Sequence, residues 1–186
     1  MSVDDLKNAL PAYAKDLKLN LGNVLRSKGL SEQQIWGTAL ASAIAARNPV
    51  VTAALDAEAK ARLQPEVYTA AKTAAAMMGM NNVYYRFLSL TSTEEYQTMP
   101  ANLRMNAIAQ HGIEPLDFEM FSLAVSAINA CKKCVDSHEQ QVTKSGATRE
   151  MVQTVVRIAS VVHAVAVTLE AEAAVANAAA PASAAA

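Results

Sequence analysis

Hydrophobic and polar residues follow helical spacing along most of this chain, interrupted by residues that start or stop helices. Ser2 opens a short helix through Ala9, and Pro11 begins a second that carries Leu17, Leu19 and Leu21 toward Leu25. Gly29 is a C-terminal stop. Ser31-Glu32-Gln33-Gln34 forms a capping box, after which Ile35, Leu40 and Ile44 trace an apolar face. Asn48-Pro49 caps the next helix, with proline where its missing N–H is harmless. Pro65 opens a helix to about Met78, and Gly79 separates it from a further helix through Leu88. Thr91 to Pro100 is polar and irregular, and Asn102 to Ala109 reads as a short helix closed by His111-Gly112. Asp117 is the expected N-cap for Phe118 to Ala130. A helix containing both cysteines ends at Gly146, and Thr148 caps a long last helix to about Ala176. The alanine, proline and serine that follow read as a disordered tail. The pattern predicts an all-α fold: one compact multi-helix domain over residues 1–176, then an alanine-rich tail over 177–186.

Composition agrees. A length of 186 residues fits one domain, and 52% apolar residues suffice for a core. Much of that share is alanine, which favours helix and close helix–helix approach. Aromatics make up only 5%, so a large sheet is not expected. The sixteen basic residues are scattered and net charge is −1, which offers no basic stripe to nucleic acid or an anionic membrane. The N-terminus carries acids where a signal peptide needs positive charge, so the expected compartment is the cytoplasm. Val152 to Val167 is the most apolar stretch. Arg157, Ser160 and His163 interrupt it and it falls short of the roughly 20 residues a bilayer requires, so a buried helix is expected.

One internal echo stands out. Ala76 to Val83 resembles Ala127 to Cys134 at an offset of 51 residues, placing Met80, Val83 and Phe87 opposite Cys131, Cys134 and His138. A duplicated helical unit and chance similarity between alanine-rich helices both account for it.

The chemistry concentrates in Cys131-Lys132-Lys133-Cys134 followed by His138. Two intervening residues let both sulfurs meet within one helical turn, the arrangement that shuttles between dithiol and disulfide. Cys134 and His138 stand four residues apart and share a helix face. A helix N-terminus, two lysines and a nearby imidazole each favour a thiolate. An ordinary thiol is only about 3% ionised near pH 7, and lowering its pKa by about 1.5 units makes it roughly half ionised. Half of a zinc site, a structural bridge across a short loop, and two inert buried thiols are the alternatives. The flanking lysines argue against full burial. Thioredoxin is excluded, because its motif follows a strand whereas Phe118 to Ala130 is helical. Trp36 and the methionines read as core, His163 as a hydrogen-bonded interior residue, and His111 as a loop residue.

Further segments carry a family resemblance. They are Leu6 to Asp16 with Leu19-Asn20-Leu21, Gln34-Ile35-Trp36-Gly37-Thr38, Met78 to Arg86, and Leu103-Arg104-Met105-Asn106. Phe118-Glu119, Ala124 to Asn129, the cysteine motif and His138-Glu139 complete the set. Over about residues 1–175 the chain resembles the AhpD-like family of the carboxymuconolactone decarboxylase-like superfamily. The resemblance implies an all-α antioxidant oxidoreductase, commonly a homotrimer, with no bound cofactor or metal. It would pass electrons from dihydrolipoamide on a lipoylated acyltransferase subunit to a peroxiredoxin of the alkyl hydroperoxide reductase C type, and reduce hydroperoxides weakly itself. By position Cys134 matches the family's peroxide-reactive cysteine, which forms a sulfenic acid and a mixed disulfide with the peroxiredoxin. Cys131 matches the resolving partner and proton donor, and His138 and Glu119 match the proton relay. Members have a histidine where this chain has Lys133, which implies a relay shortened to Glu119 and His138. A lyase of the carboxymuconolactone decarboxylase type and a non-enzymatic helical binding protein are the competing functions. The first needs no redox pair, and the second no thiolate near neutral pH.

Overall fold

The computed structural model describes residues 1–179. Among these the elements are α1 (Val3–Ala9), α2 (Lys15–Val24), α3 (Glu32–Ala46), α4 (Pro49–Arg62), α5 (Pro65–Leu90), α6 (Glu95–Thr98), α7 (Asn106–Ala109), α8 (Pro115–Ile128), α9 (Lys132–Lys144) and α10 (Arg149–Ala179), with a 3₁₀ turn at Ala12–Ala14. The fold is all-α, as the helical spacing predicts. The helix starts read at Ser2, Ser31, Asn48 and Thr148 form with their side chains in place. Ser2 and Asp5 make one capping box and Ser31 and Gln34 another. Asn48 Oδ1 accepts the N–H groups of Val50 and Val51, and Thr148 Oγ1 accepts that of Met151. Each cap supplies partners for N–H groups that the helix itself leaves free.

Helix α3 is the centre. Every residue from Ile35 to Ala43 is buried, and the helix packs against α4, α5, α8 and α10. A helix apolar on all sides requires neighbours all round, and its alanines let them come close. Gly37 marks the tightest approach, because a Cβ there would overlap ring carbons Cζ and Cε1 of Phe121 on α8 and stand 2.9 Å from Cε2. Helix α10 contributes one stripe (Val155, Ile158, Ala159, Val162, Val165, Ala166 and Leu169), buried against the bundle. It is longer than the apolar run in the sequence, and residues 149–178 are long and apolar enough to cross a bilayer by length and composition alone. Here the stripe serves as core. His163 falls off that stripe and is exposed, contrary to the interior position read from sequence.

Several boundaries move. Gly79 does not divide two helices, since α5 runs unbroken for 26 residues. A mid-helix glycine costs about 1 kcal/mol relative to alanine, and the burial of Ala70, Ala71, Ala74, Ala75 and Met78 before it outweighs that. The 51-residue echo therefore maps onto one straight helix in its first copy and onto two helices with a turn in its second. Asp117 is not an N-cap. Helix α8 starts at Pro115, and Asp117 accepts a hydrogen bond from Gln34 Nε2 of α3 at 2.8 Å. Half-burial raises its carboxyl above the usual value, which the Gln34 bond opposes. The expected helix from Asn102 shrinks to Asn106–Ala109, with Asn102 left-handed at φ 51°. Helix α10 continues to Ala179, past the boundary read at residue 176, and the rest of the alanine-rich tail lies outside the described residues.

Replacing Gly37 with alanine should destabilise the protein by about 1–3 kcal/mol, because Phe121 has no room to move aside in a fully buried site. Urea unfolding checks this, and an unchanged midpoint would show that α3 and α8 can separate without loss.

Candidate active site

The corner between α8 and α9 builds the site. Helix α8 ends at Ile128. Ala130 adopts a left-handed conformation at φ 53°, and Cys131 N–H bonds back to the carbonyl of Ser126 at 3.2 Å. Gly146 at φ 95° makes the matching stop at the end of α9. Alanine at position 130 carries strain of about 1 kcal/mol that glycine would not. The turn reverses the chain so that Cys131 becomes the N-cap of α9 and Cys134 sits in its first turn.

The two sulfurs are joined as a disulfide, with Cα atoms 5.3 Å apart. Cys134 N–H points at Cys131 Sγ at 3.4 Å, so the sulfur takes the role that serine or aspartate plays at other helix starts. Both cysteines are buried, contrary to the expectation drawn from their lysine neighbours. Cys131 has 0% exposure and Cys134 6%. The lysines account for the difference by pointing outward. Lys132 pairs with Asp136, and Lys133 Nζ donates to Gln97 Oε1 at 3.2 Å and stands 5.9 Å from the Tyr85 ring.

Only one sulfur is reachable. Cys134 lines a cavity of about 470 Å³ together with Met78, Asn81 and Tyr85 of α5, Met105 and Ile108 of the 91–114 segment, Glu119 of α8, and Lys133, Ser137, His138 and Gln141 of α9. Cys131 lies behind it. A cleft of about 500 Å³ between α1, α2, α3 and α4 has neither thiol nor imidazole, and its Arg62 and Lys7 are engaged by Glu58, Glu32 and Asp4. Of these two, the cysteine cavity is the one that brings a sulfur and an imidazole together.

His138 reaches the same cavity, as its position four residues beyond Cys134 predicts. Its Nδ1 is 2.6 Å from Glu119 Oε2 and its Nε2 is 3.1 Å from Met78 Sδ. With Nδ1 facing the carboxylate, Nε2 is left against the Met78 sulfur on the cavity wall. Glu119 is 19 residues away in sequence, so only the packing of α8 against α9 makes this pair. His111 stays outside, stacked on Phe118 at 4.4 Å.

Sequence reading missed what α5 contributes. Asn82 donates from Nδ2 to Ser126 Oγ at 2.9 Å and accepts from Asn129 Nδ2 at 3.0 Å, while Arg86 Nη1 caps the Asn129 carbonyl at 2.8 Å. These bonds clamp the strained corner. Met78 and Asn81 form the cavity wall, and the Asn81 carbonyl oxygen lies 4.0 Å from Cys134 Sγ. The adjacent pair of asparagines in an otherwise alanine-rich helix was the available signal.

Known proteins resemble this chain over nearly its whole length. The model of the carboxymuconolactone decarboxylase family matches residues 94–177. Alkyl hydroperoxide reductase AhpD of Streptomyces griseus is 57% identical, over 95% of this chain and 100% of its own length. The chain belongs to the AhpD family. Members from Streptomyces coelicolor (58% identical, 93% of this chain and 97% of the relative) and Maricaulis maris (56%, 92% and 99%) bear the same name. The corner, the cavity and the His138–Glu119 pair described above are thus features of an AhpD-family protein.

Asn82→Ala should cost about 1–3 kcal/mol by leaving the buried Ser126 hydroxyl and the Asn129 amide without this partner. Denaturant unfolding measures the loss, and a change below about 0.5 kcal/mol would show that Arg86 alone holds the corner.

Proposed function

We propose that this protein is an alkyl hydroperoxide reductase whose Cys131–Cys134 pair takes two electrons from a dihydrolipoyl group and delivers them to a peroxiredoxin or directly to a hydroperoxide. The observation that carries this reading is the asymmetric disulfide, with one sulfur opening onto a cavity and the other capping a helix.

The asymmetry sets the direction of thiol exchange. A dihydrolipoyl thiolate can reach Cys134 Sγ through the cavity. Its attack forms a mixed disulfide on Cys134 and expels Cys131 as thiolate. The Cys134 N–H and the free N–H groups of the first turn of α9 receive that charge, and a stabilised thiolate leaves faster. The second lipoyl thiol then displaces Cys134, leaving a protein dithiol and a lipoyl disulfide. Reduced Cys134 can next attack a peroxiredoxin disulfide or a peroxide oxygen. His138 takes the proton from Cys134 and returns it to the product, with Glu119 holding the imidazole in one orientation. Lys133 is directed to Gln97 and Tyr85, so it takes no proton in this scheme.

The electron donor in this scheme is a lipoylated acyltransferase subunit, and the working assembly is a homotrimer in the cytoplasm. No bound cofactor takes part, since the electrons reside in sulfur. The exposed apolar side chains Val83, Phe87 and Leu90, one stripe along α5, support an assembly that covers them. A lyase reading loses support from the disulfide, which proton chemistry at a lactone does not use.

Supplying dihydrolipoamide, a peroxiredoxin and tert-butyl hydroperoxide should give peroxide consumption that falls to background in Cys134→Ser. Cys131→Ser should retain one round of sulfenic acid formation and lose turnover, and equal turnover in all three proteins would dismiss the scheme. Lys133→His adds a group titrating near pH 6.5 at the cavity edge, so the pH–rate profile should gain an inflection between about pH 6 and 7. An unchanged profile would make position 133 a bystander.

A further inference from the structure

Three polar side chains that line the cavity are already engaged. Glu119 and His138 hold each other, and Lys133 is bound to Gln97. Asn81 differs. It is 5% exposed and lines the cavity, and its Oδ1 is buried with no hydrogen-bond partner among the described residues. Its neighbour Asn82, equally buried, has both ends of its amide engaged. Gln33 Oε1 and the hydroxyls of Thr38, Ser42 and Ser122 also lack partners, but none of them lines this cavity, and a helical hydroxyl can turn to its own backbone. An unmet buried acceptor on a residue of modest helix propensity is a standing penalty that leucine or alanine would not incur. The backbone of the same residue passes 4.0 Å from Cys134 Sγ, so the amide leaves its helix beside the reactive sulfur.

We infer that Asn81 anchors the hydroperoxide group against Cys134. The inference rests on the peroxide reaction proposed above. A hydroperoxide, R–O–O–H, needs an acceptor for its O–H and a donor for the oxygen that leaves. A primary amide carries both on one plane. The cavity's other unpartnered polar side chains are less buried than Asn81: Tyr85 is half-buried, and Ser137 and Gln141 stand at the exposed side.

With its proton on His138, the Cys134 thiolate attacks the terminal, hydrogen-bearing oxygen. The S–O bond forms as the O–O bond breaks, the sulfur gives up two electrons, and RO⁻ departs. His138 returns its proton to RO⁻, giving ROH. The Cys131 thiol then attacks the sulfenic sulfur, and its proton leaves with the expelled hydroxide as water. Asn81 accepts the O–H bond of the bound peroxide and donates to the departing oxygen, where charge develops.

Full-length reduced protein tests this with two reagents. Single-turnover oxidation by tert-butyl hydroperoxide depends on anchoring, whereas alkylation by iodoacetamide depends only on thiolate and access. In Asn81→Leu the ratio of the two rate constants should fall about 10- to 100-fold, the worth of one or two hydrogen bonds to a charged oxygen. Asn81→Ala removes the amide with no added bulk and must show the same loss, which covers the case of a leucine variant that does not fold. A ratio within about twofold of wild type in the folded variant overturns the role of Asn81. A wild-type protein that reacts with iodoacetamide but never with hydroperoxide overturns the parent function as well, so the two failures are distinct.

Discussion

The arrangement depends on a single backbone reversal at Asn129-Ala130, which ends α8 and makes Cys131 the first residue to cap α9. Left to itself the reversal is unfavourable, because alanine resists the left-handed conformation. It persists because α5 grips it from outside, with Asn82 bonded to Ser126 and Asn129 and Arg86 bonded to the Asn129 carbonyl. Strain at a functional turn survives only when its surroundings over-determine it, and here the surroundings are one straight helix. Continuity of α5 through Gly79 is therefore a condition of the site. A break there would free Asn82 and Arg86 from the register that lets them reach the corner together.

That condition explains which parts of the site could be read from sequence. Cys131, Cys134 and His138 stand within eight residues on one local element, and helical geometry alone places them around a common volume. Glu119 was accessible only through family resemblance, since its contact with His138 is made by packing of α8 on α9. Met78 and Asn81 escaped because Gly79 reads as punctuation when propensity is judged without the core contacts that override it. Asp117 misled for a similar reason. An aspartate ahead of an apolar run has the form of a cap, but Pro115 had already started the helix and the carboxylate was engaged by Gln34. Local signals succeeded where local bonds decide the structure, as at Ser2, Ser31, Asn48 and Thr148.

Burial of the sulfurs shows a related limit. Lysines on either side of a position indicate solvent nearby for the lysines, not for the side chains between them. At a helix start, consecutive residues point in directions about 100° apart, so Lys132 and Lys133 can extend outward while Cys131 and Cys134 turn in. The consequence is chemical. A helix-capping sulfur that is shielded and a second sulfur that faces a cavity cannot exchange roles, and the pair acquires a fixed order of attack and departure.

The 51-residue echo takes on a different meaning once the two copies are laid on the structure. If both copies formed the same unit, Met80, Val83 and Phe87 would hold places equivalent to Cys131, Cys134 and His138. They do not, because the second copy bends at Ala130 and the first runs straight, so residues beyond the bend face differently. Val83 and Phe87 point outward and are exposed at 61% and 47%. The inward face of α5 is formed by Met78, Asn81 and Asn82, and these serve the site of the other copy. One helical pattern therefore does two jobs. Bent, it presents a pair of sulfurs; straight, it forms the wall and the clamp that hold the bent copy in place.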